Sequence, residues 1–170
     1  SVGICFIGER NMKEFLKQYL PANPGDIITN KGECIGEHDG LMYYTIGQRK
    51  GLGVGGGHSD LDEPWYVIGK DLENNQLIIA QGHNNSALYH KHLKASNLHW
   101  VSGSPPNGDR YNAKVRYRAD DVPCKINEMS NTSISIEFDQ ACFGIAPGQS
   151  VVFYDREVCL GGAVIDSFSD

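Results

Sequence analysis

The sequence predicts a mainly β chain: a short N-terminal helix, a small central β domain and a C-terminal six-stranded β-barrel. Three observations carry this. Only one segment has a helical apolar period. From residue 25 onward, β-branched and aromatic runs alternate with glycine, proline and asparagine turns. Near residues 82–90 the texture shifts to six short strand-like runs at close spacing, the pattern of a small closed barrel.

The helix is expected over residues 11–20. Asn11 suits the N-cap and Glu14 stands three residues later, as in a capping box. Met12, Phe15, Leu16, Tyr19 and Leu20 share one apolar face, and Pro21 ends the run. Ile27-Ile28 before Lys31-Gly32 reads as a strand and turn, and Leu41–Ile46 as a β-rich run ending at Gly47. Trp65–Ile68 and Gln76–Ala80 flank Asn74-Asn75, which predicts a hairpin. The barrel candidates are 95–101, 111–118, 123–129, 133–138, 150–154 and 157–165. Their turns are Pro105–Gly108, Ser130-Asn131 and Pro147-Gly148. The expected division is a leading segment 1–10, a central domain 11–83 and a barrel 84–170. Neither an internal repeat nor a low-complexity tract is visible.

Composition narrows the class. The 170 residues are 40% hydrophobic and 21% charged, ordinary for a globular chain long enough to bury a core. No apolar run approaches the ~20 residues of a membrane span, and the first residues read as no signal peptide, so no membrane is expected. The first residue is Ser rather than Met, so the chain reads as a processed product or a piece. Cys5, Cys34, Cys124, Cys142 and Cys159 are an odd set without a C-x-x-C pair. That fits a reducing cytoplasm better than a disulfide framework or a zinc site, and the last four read as small core hydrophobes. Net charge is −6; residues 1–83 hold 7 basic and 11 acidic groups, residues 84–170 hold 8 and 10. Neither half has the basic excess of a free-standing nucleic-acid binder, so any polyanion contact must be local.

Cys5 stands in the apolar, glycine-flanked run Gly3-Ile4-Cys5-Phe6-Ile7-Gly8. The plain reading is a core cysteine. The functional one is a reactive thiolate, favoured by Arg10 and the helix N-terminus just beyond. Lys114, Arg116 and Arg118 alternate with Val115 and Tyr117, so in a strand the three cations share one face. That face meets water or a phosphate backbone. Gln48-Arg49-Lys50 precedes a glycine-rich loop and is either a solvated basic pair or a second phosphate contact. Gly51–Gly56 satisfies G-x-G-x-x-G with Asp71 20 residues on. No helix is expected after it, which argues against a dinucleotide site. His38-Asp39, the His58/Asp60/Asp62/Glu63 group and His90/His92 contain ligand residue types without a recognised spacing, and no metal is assigned. Asp120-Asp121 reads as a solvated loop.

The Cys5 run resembles the second-cysteine region of the bacterial tRNA-specific 2-thiouridylases (tRNA-uridine 2-sulfurtransferases). The likeness continues through Gly36–Gly40, Tyr43–Gly53, Pro64–Val67 with Lys70-Asp71, Lys114–Arg118, Pro147–Gln149 and Val158–Gly162. These blocks lie in family order over nearly the whole chain. The resemblance implies the central and C-terminal portion of an enzyme that places sulfur at C2 of the wobble uridine. It implies Cys5 as persulfide carrier, tRNA contacts at Arg116, Tyr117 and Gln149, and a tRNA-facing loop at Gln48, Arg49 and Lys50. It also implies a barrel like the second domain of translation elongation factors. ATP and magnesium would serve a front pyrophosphatase-loop domain, and a sulfur-relay protein would donate the persulfide. This chain has no pyrophosphate-binding loop, so no cofactor is assigned to it and it is expected to be inactive alone. The alternative is a stand-alone RNA-binding module without catalysis.

Overall fold

The computed structural model describes residues 15–55, 63–117 and 119–170. Cys5, residues 11–14 of the expected helix, the 56–62 part of the glycine-rich loop and Arg118 lie outside the described residues. What is described of the helix is its last turn. Leu20 N donates to Leu16 O at 2.9 Å, and the Phe15 and Tyr19 rings are 5.3 Å apart. The chain divides into two compact units after Ala80.

The first unit holds β1 (Gly25–Thr29), β2 (Cys34–His38), β3 (Trp65–Asp71) and β4 (Gln76–Gln81) in the sheet order β2-β1-β4-β3. β1 pairs antiparallel with β2 and parallel with β4. Thr29 closes the β1–β2 turn: its Oγ1 accepts from Lys31 N and Glu33 N, and Gly32 has φ 84°. The expected hairpin between Trp65 and Ala80 is present as the neighbours β3 and β4. Asp71 braces their turn, accepting from the Glu73 and Asn74 backbone N–H groups and from Asn74 Nδ2. Asn75 takes the turn's left-handed position at φ 53°. The core is Ile27, Leu41, Tyr44, Leu52, Val67, Leu77 and Ile79.

One local expectation needs correction, and one strand was missed. The run 41–46 is not a strand: Leu41–Tyr43 forms a 3-10 turn through Tyr43 N to Gly40 O and Tyr44 N to Leu41 O. That turn puts both Leu41 and Tyr44 into the core, which outweighs their β propensity. β2 was not visible in the sequence because Gly36 and Glu37 interrupt its apolar pattern.

The second unit is a closed barrel of β5 (Tyr89–Trp100), β6 (Arg110–Lys114), β7 (Val122–Met129), β8 (Ser133–Phe143), β9 (Ser150–Asp155) and β10 (Val158–Ser169). Its circular order is β10-β5-β8-β7-β6-β9. This is the expected six-stranded barrel in a mainly β chain. Period-2 alternation fills its interior: Ile134, Ile136 and Phe138 from β8 and Val151 and Phe153 from β9 all point inward. Their apolar burial, at roughly 1.5–3 kcal/mol per large side chain, is what closes the sheet. No helix among the described residues is long and apolar enough to cross a membrane.

Candidate nucleic-acid interface

In the first unit, Gln48, Arg49 and Lys50 sit on a loop strapped to β3. Gly47 N donates to Val67 O at 2.7 Å and Val67 N to Gln48 O at 3.0 Å. The Gln48 side chain is spent on the loop itself: Oε1 accepts from Thr45 N at 3.1 Å and Nε2 donates to Lys50 O at 2.9 Å. Arg49 and Lys50 are exposed beside it. Gln48 is thus a brace that presents two cations. The glycine loop is not slack up to residue 55: Leu52 is buried between Gly51 (φ 77°) and Gly53 (φ 72°). Residues 51–55 form no helix, and Asp71 is held in its own turn. Asn74's amide, then the backbone N–H groups of Asn74 and Glu73, keep the Asp71 carboxyl below the usual carboxylate range.

In the barrel the antiparallel register of β6 and β9 assembles the other candidates. Asn112 faces Tyr154 and Lys114 faces Val152. β6 stops at Lys114, so the single strand expected over 111–118 is corrected. The chain turns instead, with Ala119 N donating to Arg116 O at 3.2 Å. β6 thus leaves the ladder near Ser150, where β9 begins, and Gln149 immediately precedes that start. Arg116, Tyr117 and Gln149, 33 residues apart in sequence at the extremes, therefore come to one end of the same strand pair.

The cations are not an evenly solvated row. Val115 is buried, which anchors the backbone as it leaves the strand. Lys114 Nζ lies 5.5 Å from the Tyr154 ring centroid, and the Arg116 guanidinium 5.4 Å from that of Phe143. Arg116 is half-buried, and burial lowers its pKa from the ordinary value. Its Nη1 is buried without a hydrogen-bond partner. Tyr117 next to it is 83% exposed, an unusual setting for a large ring. A planar cation held on an aromatic face, beside an exposed tyrosine, is suited to phosphate and base contact.

The support of Arg116 was not legible in sequence. Phe143 at the end of β8 stacks on His83 (4.6 Å, 5°) and meets Tyr89 edge-on, while Tyr89 Oη and His83 Nδ1 are 3.0 Å apart. Nothing in the spacing of residues 83, 89, 116 and 143 announces this cluster.

The remaining candidates resolve individually. His38 is buried; its Nε2 lies 3.0 Å from Asn75 O and so donates to it, while Nδ1 has no partner. His90 pairs with Asp170 at 2.8 Å. Cys124 and Cys142 are buried as expected, but Cys34 and Cys159 are exposed. Cys34 opens a strand at the sheet edge, and Cys159 lies on β10 before the ladder's bulge.

Comparison with known proteins is consistent over the whole chain. Residues 13–81 match the family described as tRNA methyl transferase PRC-barrel domain, and residues 90–165 the aminomethyltransferase beta-barrel domain. The chain is 51% identical over 168 residues to the tRNA-specific 2-thiouridylase MnmA of Shewanella amazonensis. It is 54% identical over 167 residues to the proteins of that name from Salmonella typhimurium and Escherichia coli O157:H7. Each match covers 98% of this chain and 45% of the relative, so the chain spans about half the length of the curated relatives it matches.

Proposed function

The chain belongs to the tRNA-specific 2-thiouridylase family, and from that premise we propose that it is the tRNA-holding rear portion of a wobble-uridine thiolating enzyme. Arg116, Tyr117 and Gln149 are its principal tRNA contacts, with Lys114, Arg118, Arg49 and Lys50 adding phosphate contacts. The observation that carries this is the gathering of Arg116, Tyr117 and Gln149 at one end of β6 and β9, with the Arg116 guanidinium over Phe143 and the Tyr117 ring exposed.

Cys5 is the persulfide carrier in this reading. ATP with magnesium, which the front portion of the longer protein would hold, would supply activation of the uridine by adenylation of its C2 oxygen. The terminal persulfide sulfur attacks C2 and AMP departs. The thiolate of a partner cysteine in the front portion then attacks the inner sulfur of Cys5. The S–S bond breaks, the sulfur stays on the base, and a disulfide is left between the two cysteines. A relay protein reloads the carrier after reduction.

Titrating tRNA onto this chain across a salt series, beside Arg116→Ala, tests the reading. The expected result is steep salt dependence in the parent, weakened affinity in the variant and a slope shallower by about one contact. Absence of binding at low salt, or an Arg116→Ala variant that binds like the parent, overturns it.

A further inference from the structure

A groove opens at the opposite end of β6 and β9 from Arg116. It is a depression of about 350 Å³ whose lining includes Asn107, Arg110, Asn112, Tyr154, Asp155 and Arg156. Arg110 is partly committed: its Nη2 donates to both carboxylate oxygens of Asp139, at 2.7 and 2.6 Å, which leaves Nε and Nη1 unused by that pair. Arg156 is exposed and makes no ion pair among the described residues. Asn107 and Asn112 add neutral amides. The Tyr154 ring connects the groove to Lys114, whose ammonium lies over it.

Arg156 stands where an arginine is conformationally costly. Asp155 pairs with Val158, so Arg156-Glu157 is a two-residue hairpin loop, and Arg156 has φ 55°. Positive φ there favours glycine or asparagine. The other two non-glycine residues with positive φ among those described, Asn75 and Asn97, are asparagines. An arginine at such a position, on the rim of a polar groove, points to use of its side chain.

We propose that this groove seats an RNA phosphodiester, with Arg156 as its principal cation, so that the RNA-facing track runs the length of β6 and β9. The extended part of that track, Arg110 to Lys114, spans roughly 13 Å at ~3.3 Å per residue, and the chain turns on to Arg116 beyond it. Lys114 over Tyr154 bridges the two ends. The inference rests on the reading that this chain grips tRNA, and names a contact that the reading does not include.

The test is Arg156→Gly in the 170-residue chain, with Arg156→Asn as the second turn-compatible variant and Arg156→Lys as the charge-retaining one. Thermal melting and tRNA titration across a salt series are measured for each, beside Arg116→Ala. Glycine and asparagine suit the turn, so their melting temperatures are expected to equal or exceed the parent's. Their log–log salt slopes should be shallower by about 0.7–0.9, one phosphate contact, and their affinities lower. Arg156→Lys should keep the parent slope. If Arg116→Ala weakens binding while Arg156→Gly and Arg156→Asn bind like the parent, this proposal is overturned and the tRNA reading stands. If the parent itself does not bind, both fall.

Discussion

Cysteine shows how far residue identity alone can carry an argument. Cys124 and Cys142 face the barrel interior, and desolvation pushes each thiol up to about 12. The folded state therefore holds both thiols protonated where an unfolded chain, near the ordinary value of 9.0, would ionise them. The unfolded state then binds fewer protons, so stability falls as pH rises from about 9 toward 12. The expected loss is at most roughly 1.4 kcal/mol per thiol per pH unit. Denaturant melts at pH 9 and 10.5 should show a smaller drop in Cys142→Ala than in the parent; equal drops would refute the assignment. Cys34 and Cys159, though of the same residue type, are exposed and should react with a thiol reagent before the two buried ones. No sequence context separated the two pairs.

At the scale of elements, close approach rather than propensity fixes the barrel's seam. β10 carries Gly161 and Gly162 between β5 and β9. A Cβ on Gly161 would collide with the His99 carbonyl oxygen and come within 2.8 Å of Trp100 Cε3. Backbone cannot yield as a side-chain tip can, so Gly161→Ala is expected to cost about 1–3 kcal/mol or more. Gly55→Ala, with open space around it, should cost little by comparison. Urea unfolding of both variants decides this, and a Gly161→Ala variant as stable as Gly55→Ala would contradict the packing argument. The same scale explains the shortened β6. Val115 keeps its inward place after the ladder ends, so Lys114 and Arg116 stay on the outer side but find separate aromatic partners, Tyr154 and Phe143.

For the molecule as a whole, a net charge of −6 opposes a polyanion, so in the proposed reading affinity comes from local cations on β6 and β9 and from Arg49 and Lys50. The chain matches two β-domain families over most of its length, and its sequence contains no pyrophosphate-binding loop. Incubated with tRNA, ATP, magnesium and a persulfide donor, the 170-residue chain is therefore expected to form no 2-thiouridine. Nucleoside mass spectrometry is the readout. Robust thiolation by this chain alone would overturn the assignment of activation to the longer protein.

The sequence by itself determined the class of the fold, the six barrel strands and the β3–β4 turn. Those depend on short-range periodicity and on residues such as Asn75 whose backbone preferences act locally. It also marked Lys114, Arg116 and Tyr117, because three cations alternating with apolar residues are informative wherever they fold. It misread Leu41–Ile46, where burying Leu41 and Tyr44 together required a 3-10 turn, and it missed β2, whose glycine and charge conceal the strand. Only the tertiary structure decided that β6 ends at Lys114, that Phe143 and His83 support Arg116, and that Tyr154 and Arg156 border a groove with Arg110. Each of these rests on strand register between segments tens of residues apart, and register follows from how the whole barrel closes.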